Sequence, residues 1–472
     1  MSYLKERERL LNYAVGVRSG VPYDAEMTLD GDPVKGHVIF SSKGAFTFDF
    51  YYTASSSIML LEYQSVLLDS PQTLKLIDGK SFKVNIGGVY PSTMIVGMPY
   101  SSHMGGSIKD FYLGAEEEGL TSLSVYFGEI PTGWNVASSS AYYYTHSDTP
   151  PDGTRLGFTR LDAVDLRYNE WRVKLRAMIE HSVIDGIRHI ARITREQPFS
   201  GEEAQVFLED SLHPFLSFLF EHTPEAMQGI GYRGNNIVWG FSSSKICSKD
   251  SKTLKNWFSE TDHSSDPSSL FAVFCGLDDE EKRILSNAMH YYAGSQEILS
   301  IASLPAATFS YSAFEGLVRW IGYTNDDIRG EFFRSGGSGR ERLRQDQERR
   351  LKEDVSFIRL VMHVLESMSL IDSGPDSEVK DIVKSLRDVR DIIAHLTNPH
   401  DLSAKELYYT WNRTQFLVEA LILRKLGFTG DIPNRTRMWK VDVGGEDLTR
   451  EQRQEGELWI GSSDERETGA TE

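Results

Sequence analysis

Cysteine is nearly absent from this 472-residue sequence, which contains only two. Cys247 and Cys275 are too few for a disulfide framework, and no CxxC pair is present that could begin a zinc site. A chain with so few cysteines is typical of a reducing compartment. We therefore expect a cytoplasmic protein.

Long apolar runs are missing as well. One of the most apolar stretches, Phe416 to Leu423, is interrupted by Glu419 and is much shorter than the roughly 18 apolar residues that a membrane span needs. The first residues, Met1 to Leu11, alternate charge with leucine and lack the apolar segment of a secretory signal. The sequence predicts a soluble protein that is neither exported nor bound to a membrane.

Positive charge is in deficit, since 50 Lys and Arg stand against 68 Asp and Glu, for a formal net charge of −18. This balance excludes a general nucleic-acid coat, because such binding depends on clustered cations. Any RNA site must be a local patch. The best candidate lies between residues 334 and 352, although a solvated helix face with ion pairs explains it equally well; its arginines include Arg340, Arg342, Arg344, Arg349 and Arg350.

The familiar signatures of metal and serine hydrolases are also missing: there is no HExxH, no GxSxG and no carboxylate pattern at calcium spacing. This favours chemistry without a metal or other cofactor. Gly229 to Gly234 spells GxGxxG, but a helix is predicted before it and a strand after it, the reverse of a dinucleotide site. We interpret it as a glycine turn. Ser335 to Gly339 lacks the lysine of a phosphate loop and is interpreted as a linker.

The residues that are present predict an α+β protein with a β-rich N-terminal module over residues 1–165. Short alternating runs such as Ala45 to Tyr51 and Leu120 to Phe127, separated by turn residues, are typical of strands. Residues 166–300 are predicted to be mixed and mainly helical, with helices at Trp171 to Arg195 and Gly201 to Glu221 and a short strand at Asn236 to Phe241.

An all-helical domain is predicted over residues 301–430, followed by an acidic tail at 431–472. Helical spacing of apolar residues predicts five helices, the first of which begins upstream of this domain: Asp278 to Ser303, Phe309 to Tyr323, Arg340 to Ser369, Ser377 to His395, and Ser403 to Leu426. Acids in the first turn at Asp278 to Glu281 favour a helix start, and Gly427 is a candidate C-terminal cap.

Arg390 is the most unusual residue of this helical part. On a helical wheel it falls in the middle of an apolar stripe formed by Ile382, Val383, Leu386 and Ile393. A lone guanidinium is costly to bury unless its donors meet an anion or another acceptor. Either the stripe faces a partner at this point or Arg390 serves a site.

Asp391 and His395 are four residues apart, so they can touch on one flank of the same helix, as can Arg387 and Asp391. A carboxylate beside an imidazole can fix its tautomer and raise its pKa. An ordinary exposed ladder, with His395 favoured by the helix dipole, explains the spacing too. Arg390 and His395 lie roughly 140° apart on the wheel, so convergence requires a helix end or bend near Pro399, a side chain that reaches around, or a second subunit.

The segment from Arg390 to His395 is similar to the R-x4-6-H motif of HEPN domains. Phe309 to Leu317 looks like the opening helix of such domains, and Phe416 to Phe428 looks like the closing helix. Upstream, Ser211 to Phe218 and Ile237 to Phe241, after the β-rich start, resemble the N-terminal domain of ApeA-like HEPN proteins of bacterial anti-phage defence. The resemblance covers most of the chain and is strongest over residues 302–428.

The resemblance implies a metal-independent endoribonuclease that acts as a homodimer or a higher homo-oligomer. Its substrate would be RNA, with tRNA as one candidate, and cleavage would serve as a toxin in abortive infection after a phage-encoded trigger. The implied catalytic residues are Arg390, His395, Asp391 and Glu315. The arginines named above, together with Arg387, would bind RNA. The N-terminal part would restrain the enzyme, so that a fragment from Leu304 to Phe428 would be more toxic than the full chain.

Two alternatives remain open from the sequence. The family often has Asn directly after the motif arginine, where this chain has Asp391, so the domain could be an inactive dimerisation or sensor module. The β-rich module could instead bind a ligand such as a glycan or a phage protein through Trp134 and Tyr142 to Tyr144, although aromatic residues in strands are mostly core.

Overall fold

The computed structural model describes sixteen stretches of the chain. These are residues 21–29, 32–40, 46–54, 72–76, 81–95, 100–113, 119–127, 163–177, 189–224, 226–234, 236–243, 267–299, 302–333, 356–370, 404–430 and 432. They form two compact units, a sheet unit that ends at residue 243 and a helical unit that contains residues 209–223 and all described residues from 267 onward. The predicted α+β class is confirmed.

The described residues of the sheet unit contain twelve strands. They are β1 Pro22–Leu29, β2 Asp32–Ile39, β3 Phe46–Ala54, β4 Gln72–Leu76, β5 Ser81–Ile95, β6 Tyr100–Leu113, β7 Leu120–Phe127, β8 Ala163–Tyr168, β9 Trp171–Ala177, β10 His189–Phe199, β11 Ala226–Arg233 and β12 Asn236–Ser243. All of their pairings are antiparallel, in the order β3-β2-β1-β4-β5-β6-β12-β11-β7-β10-β9-β8.

The first six strands close on themselves because β3 also pairs with β6. Alternate residues of each strand point into the ring, as Phe46, Phe48 and Phe50 do on β3 and as Leu74 and Leu76 do on β4. These side chains form one continuous hydrophobic core. The predicted β-rich start is therefore confirmed for its described residues.

The sheet continues beyond the boundary predicted at residue 165, which falls inside β8. The helix predicted from Trp171 to Arg195 is wrong where the chain is described, because β9 and part of β10 occupy it. A period of two was present in the sequence: Val173 and Leu175 are buried, and so are His189, Ala191 and Ile193, with more exposed residues between them. The periodicity of this short segment did not distinguish a strand from a helix. Hydrogen bonds to β7 stabilise β10 in the extended conformation.

Residues Gly229 to Arg233 of the GxGxxG sequence lie in β11, so the interpretation of this sequence as a glycine turn is wrong except at its last residue; a strand follows it, as predicted. Only Gly234 is a turn residue, with a φ of 61°. Gly229 lies within the strand opposite Phe241, and a Cβ at Gly229 would lie 2.2 Å from the Phe241 ring. This glycine is therefore required by the close approach of an aromatic ring.

One helical run begins in the sheet unit and ends in the helical unit. It consists of α1 Gly201–Phe207, a π-helical segment Leu208–Leu212 and α2 His213–Phe220, which confirms the helix predicted from Gly201 to Glu221. Ser200 and Glu203 form a capping box at its start. The Arg195 guanidinium, 2.8 Å from the Glu203 carboxylate, and the Ser200 N–H lower the pKa of Glu203.

The helical unit also contains α3 Pro267–Cys275, α4 Asp279–Leu299, α5 Ser303–Thr324, α6 Asp326–Phe332, α7 Phe357–Ser367 and α8 Ala404–Lys425. The predictions for α4 and α8 are confirmed with small shifts of their ends, and α7 confirms the described part of the helix predicted from Arg340 to Ser369. The prediction for α5 is confirmed, but the helix begins six residues earlier than the predicted Phe309. Helices α3 and α6 were not predicted. The helix predicted from Ser377 to His395 and the acidic tail lie outside the described residues.

Both predicted helix ends are confirmed. The Asp278 carboxylate accepts a hydrogen bond from the Glu281 N–H at 2.8 Å, at the start of α4. After α8, Gly427 has a φ of 81° and donates to the Arg424 carbonyl, while Phe428 donates to the Leu423 carbonyl. This pair of bonds is a Schellman motif, which glycine adopts without strain.

Among the described residues, no helix is both long enough and apolar enough to cross a membrane.

Candidate functional site

The predicted catalytic residues fall largely outside the described part of the chain. Arg390, Asp391 and His395 lie between α7 and α8, and so does Arg387. The arginine-rich patch, with Arg340, Arg342, Arg344, Arg349 and Arg350, lies between α6 and α7 and is likewise outside the described residues. These residues therefore stay predictions.

Glu315 is the predicted site residue that the structure describes. It lies on α5, and its carboxylate accepts a hydrogen bond from Arg319 Nε at 2.9 Å and forms an ion pair with Arg319 Nη2 at 2.8 Å. The two side chains, four residues apart, are partly exposed at 25% for Glu315 and 30% for Arg319. Glu315 is therefore a paired carboxylate that solvent still reaches, able to orient a neighbouring group rather than to lie in the core.

Arg319 links this pair to the next helix of the bundle. Its guanidinium lies 5.4 Å from the ring centre of Phe357, the first residue of α7. Ser312 and Gly316 are exposed on the same helix beside Glu315. Together these four residues of α5, Ser312, Glu315, Gly316 and Arg319, form a partly exposed polar strip. Sequence reasoning missed Arg319, which the four-residue spacing from Glu315 could have indicated.

A second cluster that sequence reasoning missed joins α6 to α7. Arg359 forms an ion pair with Glu331, and its guanidinium lies 5.5 Å from the Phe332 ring centre. His363, one turn further along α7, packs its ring 4.8 Å from that of Phe332 and is half-buried. This cluster fixes the start of the helix that precedes the predicted motif. No local sequence pattern predicts this cluster, because Glu331 and Arg359 are 28 residues apart.

A buried polar network joins α4 to α8, the described helix that follows the predicted site in the sequence. Tyr292 of α4 donates from its hydroxyl to the Glu419 carboxylate at 2.6 Å, and Glu419 is fully buried. Gln415 donates to the Tyr292 carbonyl at 3.1 Å. Such directional bonds fix the rotation of α8 about its axis more firmly than apolar contacts alone.

Ser295 is the centre of the same network. Its hydroxyl accepts a hydrogen bond from Trp411 Nε1 at 2.6 Å, donates to the Ala306 carbonyl and contacts the Ser310 hydroxyl at 2.8 Å. All of these groups are buried. Helix α4 is therefore part of the same packed bundle as α5 and α8.

His290 on α4 is the described histidine whose pKa departs from its usual value. Burial lowers the pKa of His290, opposed in part by the negative charge of Glu297. The ring of His213 on α2 lies 5.5 Å away. Glu297 in turn contacts His222 Nδ1 at 3.2 Å and accepts from the Thr223 N–H at 2.6 Å. Burial therefore disfavours the protonated form of His290 in the folded protein.

We expect the His290 environment to make stability depend on pH. Because the pKa of His290 is lower in the folded protein than in the unfolded chain, the unfolded chain takes up the proton first as pH falls through about 6.5. The free energy of unfolding should therefore fall with pH in this range. His290→Gln should flatten that part of the profile, which melting temperatures between about pH 5 and 8 would show. Parallel profiles for parent and variant would contradict it.

Among the described residues, no group of three or more His, Cys, Asp and Glu side chains is arranged to hold a metal ion. Cys275 is buried, and burial raises the pKa of its thiol to about 12. It is therefore a packing residue rather than a nucleophile.

Helices α4, α5, α7 and α8 thus define an all-helical domain with a buried polar network and a partly exposed Glu–Arg pair on α5. Residues 310–432 match the family model described as Apea-like HEPN, so this chain contains an Apea-like HEPN domain. The match includes Glu315, the arginine-rich patch and the segment from Arg390 to His395. HEPN domains are generally ribonucleases, so the match suggests a nuclease-type function in defence. No curated protein and no solved structure matches the chain.

Proposed function

We propose that the protein is a metal-independent endoribonuclease of the HEPN type. The supporting observation is that the Apea-like HEPN match over residues 310–432 includes an Arg-x4-His segment, Arg390 to His395. The residue types suit cleavage of RNA by its own 2′-hydroxyl. The 2′-oxygen attacks the adjacent phosphorus, the bond from phosphorus to the 5′-oxygen breaks, and the ends are a 2′,3′-cyclic phosphate and a 5′-hydroxyl.

Each predicted site residue has a role in this reaction. His395 moves a proton from the 2′-hydroxyl or to the leaving 5′-oxygen, and Arg390 pairs with the phosphate oxygens as negative charge builds on them. Asp391 orients the imidazole. Glu315, held by Arg319, orients a donor of the site. Arg387 and the arginine-rich patch hold the RNA backbone.

A homodimer is part of the proposal. The position of Arg390 on an apolar stripe is explained if two copies of that helix meet across a two-fold interface that opens onto a polar cleft. The second copy also removes the difficulty that Arg390 and His395 lie on different faces of one straight helix. The enzyme would act in the cytoplasm as a toxin of abortive infection, and a phage protein would trigger its activity.

A second candidate function is a sensor without catalysis. Asp391 stands where the family often has Asn, and this substitution favours it. The domain would then serve for dimerisation while the sheet unit binds a ligand or a phage trigger.

Product chemistry tests the ribonuclease proposal. We expect the purified full chain to cleave RNA, with tRNA as a first substrate, at an undiminished rate in excess EDTA, because no step needs a metal. The 3′ ends should resist a phosphatase until acid opens the cyclic phosphate, and the 5′ ends should accept a kinase without prior treatment. Loss of cleavage in EDTA, or ends that carry a 5′-phosphate, would contradict the mechanism.

A further inference from the structure

The outer strands of the sheet, β8, β9 and β10, present a row of cations on one exposed face. Arg192 on β10 is paired in register with Lys174 on β9, and Arg172 on β9 is paired with Arg167 on β8. All four side chains are exposed. Because directly paired residues of antiparallel strands point to the same side, and positions two apart along a strand do too, these residues share one face. We call Arg167, Arg172, Lys174 and Arg192 the basic face.

The opposite side of the same strands is apolar and buried. Val173, Leu175 and Ile193 alternate with the cations and are almost fully buried. This packing fixes the strand register, because a slip of one residue would bury the cations and expose the apolar side chains. The positions of the cations are therefore held by the core, on rigid strands rather than on a loop.

Folding does not explain the pattern. Like charges directly opposite each other on a sheet are destabilising, and Arg192 and Lys174 are such a pair. Asp165, on the other side of Lys174, offsets part of that cost. Arg172 lies 3.2 Å from Glu196, but both side chains are more than half exposed, so the pair contributes little. The basic face therefore retains net positive charge in a chain whose formal charge is −18.

We propose that the basic face binds the phosphate backbone of RNA without regard to sequence. The inference extends the proposed function, on which it rests, because it assigns a substrate-binding surface outside the HEPN domain. The spacing suits a polyanion: paired strands lie about 4.8 Å apart, and successive side chains on one face are about 6.8 Å apart. A concentrated local patch also lets RNA approach an otherwise repulsive acidic protein.

Loss of two of these cations should lower the affinity for RNA and make that affinity less sensitive to salt concentration. The test variant is the double substitution Lys174→Gln with Arg192→Gln in the full chain. Binding is measured by fluorescence anisotropy with a labelled mixed-sequence 2′-O-methyl RNA, which lacks the attacking hydroxyl. We expect the dissociation constant to rise about tenfold at low salt, and the slope of log affinity against log salt to fall by about 1.4, for two lost phosphate contacts.

The matched control is Lys35→Gln with Lys75→Gln, which removes two exposed cations from β2 and β4 of the same unit. Those lysines flank Glu26 in the sheet register, on strands that do not neighbour β8, β9 or β10. We expect the control to bind RNA like the parent. Equal weakening of both double variants, or of neither, would overturn the proposal. So would competition by polyglutamate as strong as that by unlabelled RNA, which would make the basic face a surface for acidic proteins.

Stability separates binding from folding. Removal of the opposed pair Arg192 and Lys174 should leave the melting temperature unchanged or slightly raised. A lower melting temperature with normal binding would make the pair structural and overturn the assignment. The 2′-O-methyl RNA cannot be cleaved, so the binding assay and a cleavage assay with unmodified RNA test the two proposals separately. If the parent binds RNA through the basic face but does not cleave it, the proposed function alone is wrong. If the parent cleaves RNA and the double variant binds RNA as tightly as the parent, this inference alone is wrong.

Discussion

His395→Ala is expected to abolish RNA cleavage and any cell toxicity of the protein while the fold stays intact. The proposed reaction needs a group that takes up and returns a proton near neutral pH, and general acid–base catalysis by a histidine contributes roughly 10²–10⁴-fold. Cleavage rates of parent and variant on the same RNA give the measurement, with melting temperatures as the check on folding.

His363→Ala provides a matched control in the same domain. His363 is half-buried against Phe332 on α7, and its replacement should leave cleavage within a few-fold of the parent. Arg390→Lys should be nearly as inactive as His395→Ala, because a point charge does not reproduce the planar fork that binds phosphate. Undiminished cleavage by a folded His395→Ala protein would disprove the ribonuclease assignment. An Arg390→Ala protein that unfolds would make Arg390 structural.

A fragment from Leu304 to Phe428 is expected to be unfolded or aggregated, and therefore not toxic. The sequence predicted a free-standing domain from residue 301, and greater toxicity from this fragment. The structure shows that such a fragment lacks α4, whose Ser295 and Tyr292 bind Trp411 and Glu419 of α8 in the buried interior. Without α4, the side chains of α5 and α8 that pack against it, Trp411 among them, would be exposed to water, and the loss of that burial costs several kcal/mol. Circular dichroism and thermal melting of the fragment give the measurement.

Trp411→Ala in the full chain is the companion to this truncation. It leaves α4 in place but removes a side chain that is almost fully buried, and should cost about 3–5 kcal/mol of unfolding free energy. Trp411→Phe keeps most of the volume and should cost clearly less, since mainly the bond to Ser295 is lost. A fragment from Leu304 that melts cooperatively near the temperature of the full chain would show that α4 is dispensable, and would support the domain boundary predicted at residue 301.

The helices were largely predictable because each carries its signal locally. Asp278 and Gly427 mark helix ends with side-chain and backbone chemistry that acts within one turn, and both ends lie where the sequence placed them. The strands β9 and β10 were not predictable as such. Their alternation is short and interrupted by charge, and only the pairing of β10 with β7 and of β9 with β10 selects the extended conformation.

Glu315 could be selected from the sequence only by resemblance, and its partner Arg319 only by spacing. Their exposure, and the contact of Arg319 with Phe357, needed the packing of α5 beside α7. The basic face was invisible for a different reason. Its four cations come from three strands, and Arg192 and Arg167 are 25 positions apart, so their common face depends entirely on the register of β8, β9 and β10.

The sequence by itself determined the α+β class, the helix ends and the presence of the Arg390 to His395 segment, because these follow from side-chain chemistry within a few residues. The tertiary structure alone decided that α4 belongs to the helical bundle, that β8 to β10 extend the sheet, and that cations gather on its outer face. These features depend on contacts between residues far apart in the chain. Such contacts form, and stabilise the structure, only when the chain is folded.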